Sequence, residues 1–510
     1  MPVNTMDAKT AIVAIDQGTT SSRAIVFSLA GDVVALAQEE FAQIYPHPGW
    51  VEHDPQEIWQ STKAVLEEAL RIARADGWQV LTTGIANQRE TSIVWDRATG
   101  QPIHNAIVWQ DRRTADVCAK LIAAGHEPMV QERTGLVLDP YFSATKIAWI
   151  LDAVPGARAR AEAGELAFGT VECFLLWRLT GARAHLSDAT NASRTSLFNI
   201  HTGQWDEELL ALFDVPAAVL PDVCANAGLF GHVEQTLPGA GLPITGMAGD
   251  QQAAAIGQAA FAPGSSKCTF GTGAFLLANT GQHVVRSKHR LLSTIAWQLE
   301  GVRSYALEGS ILSAGATIQW LRDGLGLIRH ARDSEALAAS LDNTGGVYLV
   351  PAFAGLGAPW WDAGARGAIL GLTRGSTRAQ IVRAGLESVA YSCADLLGAM
   401  TADGVRLAAM KVDGGMSANN WLMQFLADII DRPVERPAIK ETTAFGAAAL
   451  AGIGAGLYES LVDIGKIWRK DAQFAPAMDA AARKALLSGW GDALARVRTR
   501  DTIPDPGGKG

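Results

Sequence analysis

Residues 12–27 are IVAIDQGTTSSRAIVF. Two apolar runs rich in β-branched residues flank a short polar loop, the pattern of a strand–loop–strand hairpin. Asp16 closes the first run, and Gly18, Thr19, Thr20, Ser21 and Arg23 follow it. The usual phosphate loop, G-x-x-x-x-G-K-[ST], leads from a strand into a helix, and the sequence contains no match to it. A hairpin can reach the same end. Backbone N–H groups and hydroxyls of Gly18, Thr19, Thr20 and Ser21 can cradle phosphate oxygens, and Arg23 adds a full positive charge. Asp16 is placed to hold Mg²⁺ through water, because Mg²⁺ dehydrates reluctantly. The plainer alternative is a hairpin turn carrying an exposed acid.

Around this hairpin, strand signals at 11–15, 24–28 and 31–40 predict a three-stranded meander. A helix is predicted over 55–75, with Asp54 as cap, Pro55 in the first turn, Glu57 completing a capping box and Gly77 as the stop. Strands at 80–87, 93–96 and 106–111 follow. The order then restarts. SKCTFGTGAFLLANT (266–280) is a second strand–loop–strand unit, LLSTIAWQLE and GVRSYALEG are further strands, GATIQWLRDGLGL is helical, and the strand MKVDGG (410–415) runs into a helix at 418–430. Strands alternating with helices predict an α/β layered fold. Two copies of one unit predict two domains around a cleft, divided near 255–260 into residues 1–256 and 257–500, with 501–510 as a flexible tail. The second hairpin carries Gly271, Thr272 and Gly273, and Asp413, Gly414 and Gly415 end a strand ahead of Asn419. Each element alone is a weak signal. In this order, two phosphate hairpins facing each other can clamp a triphosphate, while the glycines let a flat base lie against the backbone.

At 510 residues, the chain is long for a single core. Hydrophobic residues at 48% and charged residues at 19% are an ordinary globular balance. The 52 glycines point to tight turns and close backbone approaches. A net charge of −9 argues against a nucleic-acid partner or an anionic membrane surface. Cys118, Cys173, Cys224, Cys268 and Cys393 are far apart and lack C-x-x-C spacing, so neither a disulfide framework nor a zinc site is expected. The opening MPVNTMDAKTAIVAID has an apolar run too short for a signal peptide. AFGAAALAGIGAGLY (444–458) is too short and too rich in Gly and Ala to span a membrane, and predicts a buried helix and its turn. A cytoplasmic protein is expected.

The three phosphate elements resemble the ATPase fold shared by actin, heat-shock chaperones and sugar kinases, which implies two duplicated actin-like (ribonuclease-H-like) domains. Four further segments bear on the acceptor: GIANQRETSIVWD, NAIVWQDRRT, DPYFSATKIAWIL and GMAGDQQAAAIG. Each has a plain reading as well. Arg89 beside Glu90 suits a solvated pair, Asp250 a helix cap, and Trp109 and Tyr141 core packing. Taken together with DQGTTSSR, QIYPHPGWVEHDP, TNASRTSLFNIHT, GTGAF, YALEG, AGATIQWLRD, VPAFAGLGAPWWD and DGGMSANN, they resemble the glycerol kinase family from about residue 11 to residue 455. That family belongs to the carbohydrate kinases with xylulokinase, ribulokinase and gluconokinase.

The resemblance implies ATP-dependent phosphorylation of glycerol to sn-glycerol 3-phosphate. It implies glycerol contacts from Arg89, Glu90, Tyr141, Asp250 and Gln251, with Trp109 and Phe275 against the carbon chain. Nucleotide contacts are implied for Thr19, Thr20, Ser21, Arg23, Thr272, Gly315, Gln319, Gly415 and Asn419. Asp250 is expected as general base, with Mg²⁺ near Asp16 and Asp250. A homo-oligomer, dimer or tetramer, is expected. The alternatives are another carbohydrate kinase, a chaperone- or filament-type ATPase without a small acceptor, and an inactive binding protein. Some relatives bind fructose 1,6-bisphosphate at a Gly-rich loop bearing Lys and Arg. The matching stretch here, HVEQTLPGAGLPITGMAGDQQ from His232, has neither residue, so insensitivity to that effector is expected. Other relatives are activated by phosphorylation of a histidine in this region, but the neighbours of His232, LFGHVEQ, do not reproduce that motif.

Overall fold

A computed structural model of the chain describes residues 9–499, so the expected tail at 501–510 lies outside the described residues. Strands β1 (Thr10–Gln17), β2 (Ser21–Ser28) and β3 (Val33–Glu40) form the antiparallel meander expected at the start of the chain. Helix α1 (Pro55–Ala75) follows, and the Asp54 carboxylate caps it by accepting the Gln56 N–H at 2.8 Å. Glu57 does not close the expected capping box. Its Oε2 accepts the Ala42 N–H at 3.0 Å instead, tying the exit of β3 to the first turn of α1. Strand β4 (Gln79–Asn87) pairs parallel with β1, and β5 (Ala227–His232) and β6 (Pro243–Gly249) complete the sheet beyond it. The order is β5-β6-β4-β1-β2-β3.

The second sheet repeats this scheme. Strands β7 (Ser266–Phe270), β8 (Ala274–Gly281), β9 (Leu292–Leu299) and β10 (Val302–Ile311) are antiparallel, while β11 (Met410–Asp413) and β12 (Val434–Pro437) run parallel to β7 and β13 (Lys470–Phe474) closes the edge. Its order is β9-β10-β8-β7-β11-β12-β13. Both sheets therefore place three antiparallel strands, two parallel ones and an antiparallel edge in the same sequence, with β9 as an addition to the second.

Helices α2 (Asp250–Gly257), α3 (Gly315–Asp323), α4 (Arg378–Ala402), α5 (Asn420–Ile430) and α6 (Thr442–Gly454) lie on these sheets. The apolar stretch at 444–458 is a buried helix, as expected, but it packs on the first sheet. Phe445, Ala447 and Leu450 share a core with Ile12, Phe27, Ala253 and Ile256. α6 also meets α2 backbone to backbone, because a Cβ at Gly446 would overlap the Ala253 carbonyl. The two sheets are thus bound by a pair of small-residue helices at the floor of the cleft. All five cysteines are unpaired. Among the described residues, no helix is long and apolar enough to cross a membrane.

Candidate active site

The carboxyl ends of parallel strands in an α/β sheet are where ligands are usually received. Arg89 and Glu90 follow the end of β4, and Asp250 follows the end of β6. Neighbouring side chains on an extended strand face opposite ways. Glu90, however, adopts a left-handed backbone with φ 58°, and the reversal turns Arg89 and Glu90 towards each other. The Ser92 and Ser143 hydroxyls hold the turn by donating to the Glu90 carbonyl at 3.1 and 3.0 Å. Such a conformation costs a non-glycine residue about 1–3 kcal/mol and accumulates at functional sites.

Arg89 is sealed, with 2% exposure, so the solvated-pair reading does not hold. Its Nη1 and Nη2 donate to Glu308 at 2.6 and 3.1 Å, with further contacts to Gln252 at 3.3 Å and the Tyr141 hydroxyl at 3.4 Å. Its Nε remains on the cleft side, 3.3 Å from Asp250 Oδ1 and 3.8 Å from Glu90 Oε1. Arg194, also fully buried, donates from Nε to Glu90 at 2.6 Å and from Nη2 to Glu308 at 2.9 Å. Burial alone would raise the pKa of Glu308, but Arg194 and Arg89 outweigh it and hold the carboxyl at about 2.

Asp250 differs from these sealed groups, since 28% of its side chain is open. Burial lifts its pKa to about 6, Arg89 and Lys267 oppose the rise, and Glu90 and Asp16 add to it. Water in the cleft moderates this upward pull at its open face. Lys267 is wholly buried on β7 and donates to Gln251 Oε1 and to Thr269 Oγ1, the latter at 3.0 Å. An ammonium only donates, so Gln251 must turn its oxygen to Lys267, leaving its amide N–H groups as the donors it can offer to a ligand. The Trp109 ring lies 5.7 Å from Tyr141 and 6.0 Å from Phe275, edge to face in both cases. These three side chains, with Ser310, Leu312 and Trp361, line a cavity of about 160 Å³.

The first hairpin reaches this wall directly, because the Trp109 indole N–H donates to Thr19 Oγ1 at 2.9 Å. Thr20 is exposed at its tip and Ser21 Oγ accepts from Gln38 at 3.2 Å. Asp16 is only 2% exposed, which removes the reading of an exposed acid in a turn. Arg23 is not free. It bridges Asp16 at 2.5 Å and Glu441 at 2.7 Å. In the second hairpin, the Gly271 carbonyl accepts the Gly315 N–H at 3.0 Å and the Thr272 carbonyl accepts the Ala316 N–H at 3.0 Å. The start of α3 is thereby fixed on the hairpin. A Cβ at Gly315 would stand 2.5 Å from the Gly271 oxygen, whereas one at Gly415 would meet nothing. Asn419 caps α5 by accepting the Leu422 N–H at 2.9 Å, and Gln319 is exposed on α3. The Trp109 indole thus joins the acceptor residues to the first hairpin, while Phe275 on β8 and Lys267 on β7 bring the strands of the second hairpin to the same residues. Arg194, Glu308, Gln252 and Lys267 received no role from sequence reasoning, although Arg194 and Glu308 lie within the quoted stretches TNASRTSLFNIHT and YALEG.

Comparison with known proteins sharpens this geometry. The N-terminal domain of the FGGY family of carbohydrate kinases matches residues 11–257, and the C-terminal domain of that family matches 266–455. Glycerol kinase of Rhodospirillum centenum is 60% identical over 500 residues, covering 98% of this chain and all of its own. The chain belongs to the glycerol kinase family, within the FGGY carbohydrate kinases. Glycerol kinase 1 of Pseudomonas aeruginosa is 59% identical, covering 96% of this chain and 99% of its own. A crystal structure of Plasmodium falciparum glycerol kinase with ADP superposes with a TM-score of 0.90 at 38% identity, covering 98% of this chain and 99% of that one. The family resemblance and the duplicated α/β fold expected from the sequence both hold.

Proposed function

We propose that this protein transfers the γ-phosphoryl group of ATP to a terminal hydroxyl of glycerol, giving sn-glycerol 3-phosphate and ADP. The observation that carries the reading is the convergence of Arg89, Glu90 and Asp250 beneath Trp109, Tyr141 and Phe275. Glycerol has three carbons and three hydroxyls, so its recognition rests on charge-assisted hydrogen bonds. Arg89 Nε only donates, ionised Glu90 and Asp250 only accept, and a hydroxyl can satisfy both kinds of partner. Aromatic faces take the carbon edge.

Asp250 accepts the proton of the attacking hydroxyl, and its pKa of about 6 leaves it ionised yet still basic near neutral pH. Attack is in line on the γ-phosphorus, where positioning and charge neutralisation do most of the work. Thr19, Thr20, Ser21, Arg23 and Thr272 take the phosphates, while Gly315, Gln319, Gly415 and Asn419 take the adenosine end. Asp16 and Asp250 suit Mg²⁺, being hard carboxylates close enough for one to raise the pKa of the other. When bound, Mg²⁺ would neutralise phosphate charge. We assign residues 1–256 to the glycerol site and the first phosphate loop, and 257–500 to the second phosphate loop and the adenosine site, with Phe275 and Glu308 crossing into the acceptor site. Unpaired cysteines fit the reducing cytoplasm, and we take the working unit to be a homo-oligomer.

ADP release, measured with and without glycerol, tests the assignment. ADP release should depend on glycerol, and glycerol should exceed xylulose, ribulose and gluconate in kcat/KM. Glycerol-independent turnover, or a sugar that beats glycerol, would overturn it.

A further inference from the structure

Glu308 is buried in β10, in the second half of the chain, yet its ion-pair partners Arg89 and Arg194 belong to the first half. Both Glu308 carboxylate oxygens are engaged by Arg89, and Oε1 also takes Arg194 Nη2. Arg194 in turn holds Glu90 Oε1 through Nε. Two guanidiniums and two carboxylates therefore form a closed, desolvated ring. Glu90 alone cannot neutralise both arginines, and an uncompensated buried charge is strongly unfavourable. The nearest other carboxylate for Arg89 is Asp250, already 3.3 Å from its Nε. We propose that Glu308 is a positioning residue of the acceptor site, holding Nη1 and Nη2 of Arg89 so that only its Nε reaches Asp250, and making acceptor recognition dependent on contact between the two halves of the molecule.

This role rests on the glycerol kinase reading above. It gives Glu308 two tasks that a simple packing residue would not have. It turns the Arg89 fork so that Nη1 and Nη2 are used on the protein and Nε is left for the acceptor. It also confines the Arg89–Asp250 ion pair to the single Nε approach at 3.3 Å, keeping the guanidinium fork off the Asp250 carboxylate. The charged groups acting on Asp250 are Arg89, Glu90, Lys267 and Asp16, and of these Arg89 is the one Glu308 holds.

Glu308→Asp keeps the buried charge but withdraws the carboxylate by one methylene, so it cannot serve both arginines fully. Because a misplacement of about 1 Å can cost 10²-fold, kcat/KM for glycerol should fall by about that factor. ATP affinity, read by calorimetry without glycerol, should not change. The loss should fall chiefly on KM for glycerol rather than on kcat, because the displaced Arg89 binds the acceptor. Glu308→Gln should show the same pattern more strongly if it folds, and the Asp variant carries the test if it does not. Wild-type kinetics in Glu308→Asp would overturn the proposal, as would equal weakening of ATP and glycerol. Wild-type protein inactive on glycerol would sink the assigned function itself, which the wild-type control separates from a failure of Glu308 alone.

Discussion

Asp250 meets two opposed demands, ionisation and basicity, and its surroundings set the balance. Glu90 and Glu308 are sealed, while Asp250 keeps an open face to the cleft. Asp250→Asn preserves shape but removes the proton acceptor, so kcat should drop by at least about 10²-fold with an unchanged melting temperature. The wild-type kcat/KM should fall as pH drops through about 6, because burial raises the carboxyl to that value and protonation disables it; a pH–rate profile checks the limb. Glu308 behaves in the opposite sense. Its pKa is held at about 2 against an ordinary 4.5, so its contribution to stability is present above the ordinary value and is lost as pH falls towards 2. On the order of 3 kcal/mol is at stake, and melting curves between pH 5 and pH 2 should be flatter in Glu308→Gln than in wild type. The Arg89–Glu90 pair was legible because NQRET is a compact pattern. Arg194 and Glu308 were not, since their partners lie 104 and 219 residues away. A usable clue was present in SYALEGSI, where a lone acid in an otherwise uncharged stretch must find a buried partner.

The elements were legible where local chemistry decides them. The two hairpins, the cap of α1 and the turn from β6 into α2 all follow from short patterns of apolar runs, glycine and capping residues. The placement of α6 did not follow, because a helix made of AFGAAALAGIG has no polar face to show which side is covered. Its glycine explains the contact after the fact. The α6 and α2 backbones touch at Gly446 and Ala253, and α2 begins with Asp250. Gly446→Ala should therefore destabilise by about 1–3 kcal/mol or more through overpacking, and should lower kcat as α2 shifts. Gly491→Ala is the matched control, on an exposed helix position where a Cβ meets nothing. It should be neutral or stabilise by up to about 1 kcal/mol. Thermal melts of the two variants check the contrast, and an equal response would remove the close-packing account.

At the scale of the whole molecule, the duplicated architecture was readable from the restart of element order, since topology follows alternation of strands and helices more than residue identity. The surface beyond the cleft decides a different question. A groove of about 1130 Å³ lies between α1 and the loop at 235–242, far from the acceptor cluster, and Lys63, Arg71 and Arg74 line it. Three cations in a groove invite an anionic effector, yet the loop that faces them is already satisfied. The Glu234 carboxylate accepts both the N–H of Thr236, at 2.8 Å, and its hydroxyl. The Leu237 and Gly241 N–H groups donate to the Glu234 and Val233 carbonyls at 3.1 and 2.9 Å, and Pro238 has no N–H to give. A bisphosphate needs free backbone donors and cations together. Here a carboxylate takes both donors of Thr236, Arg71 is paired with Glu68 at 2.7 Å, Glu67 lines the same groove, and the net charge of −9 repels an anion at longer range. The rate at saturating ATP and glycerol should therefore stay constant as fructose 1,6-bisphosphate is raised through the sub-millimolar range. Saturable inhibition lost in Arg74→Ala would show that the α1 cations suffice without the loop, and would overturn this expectation.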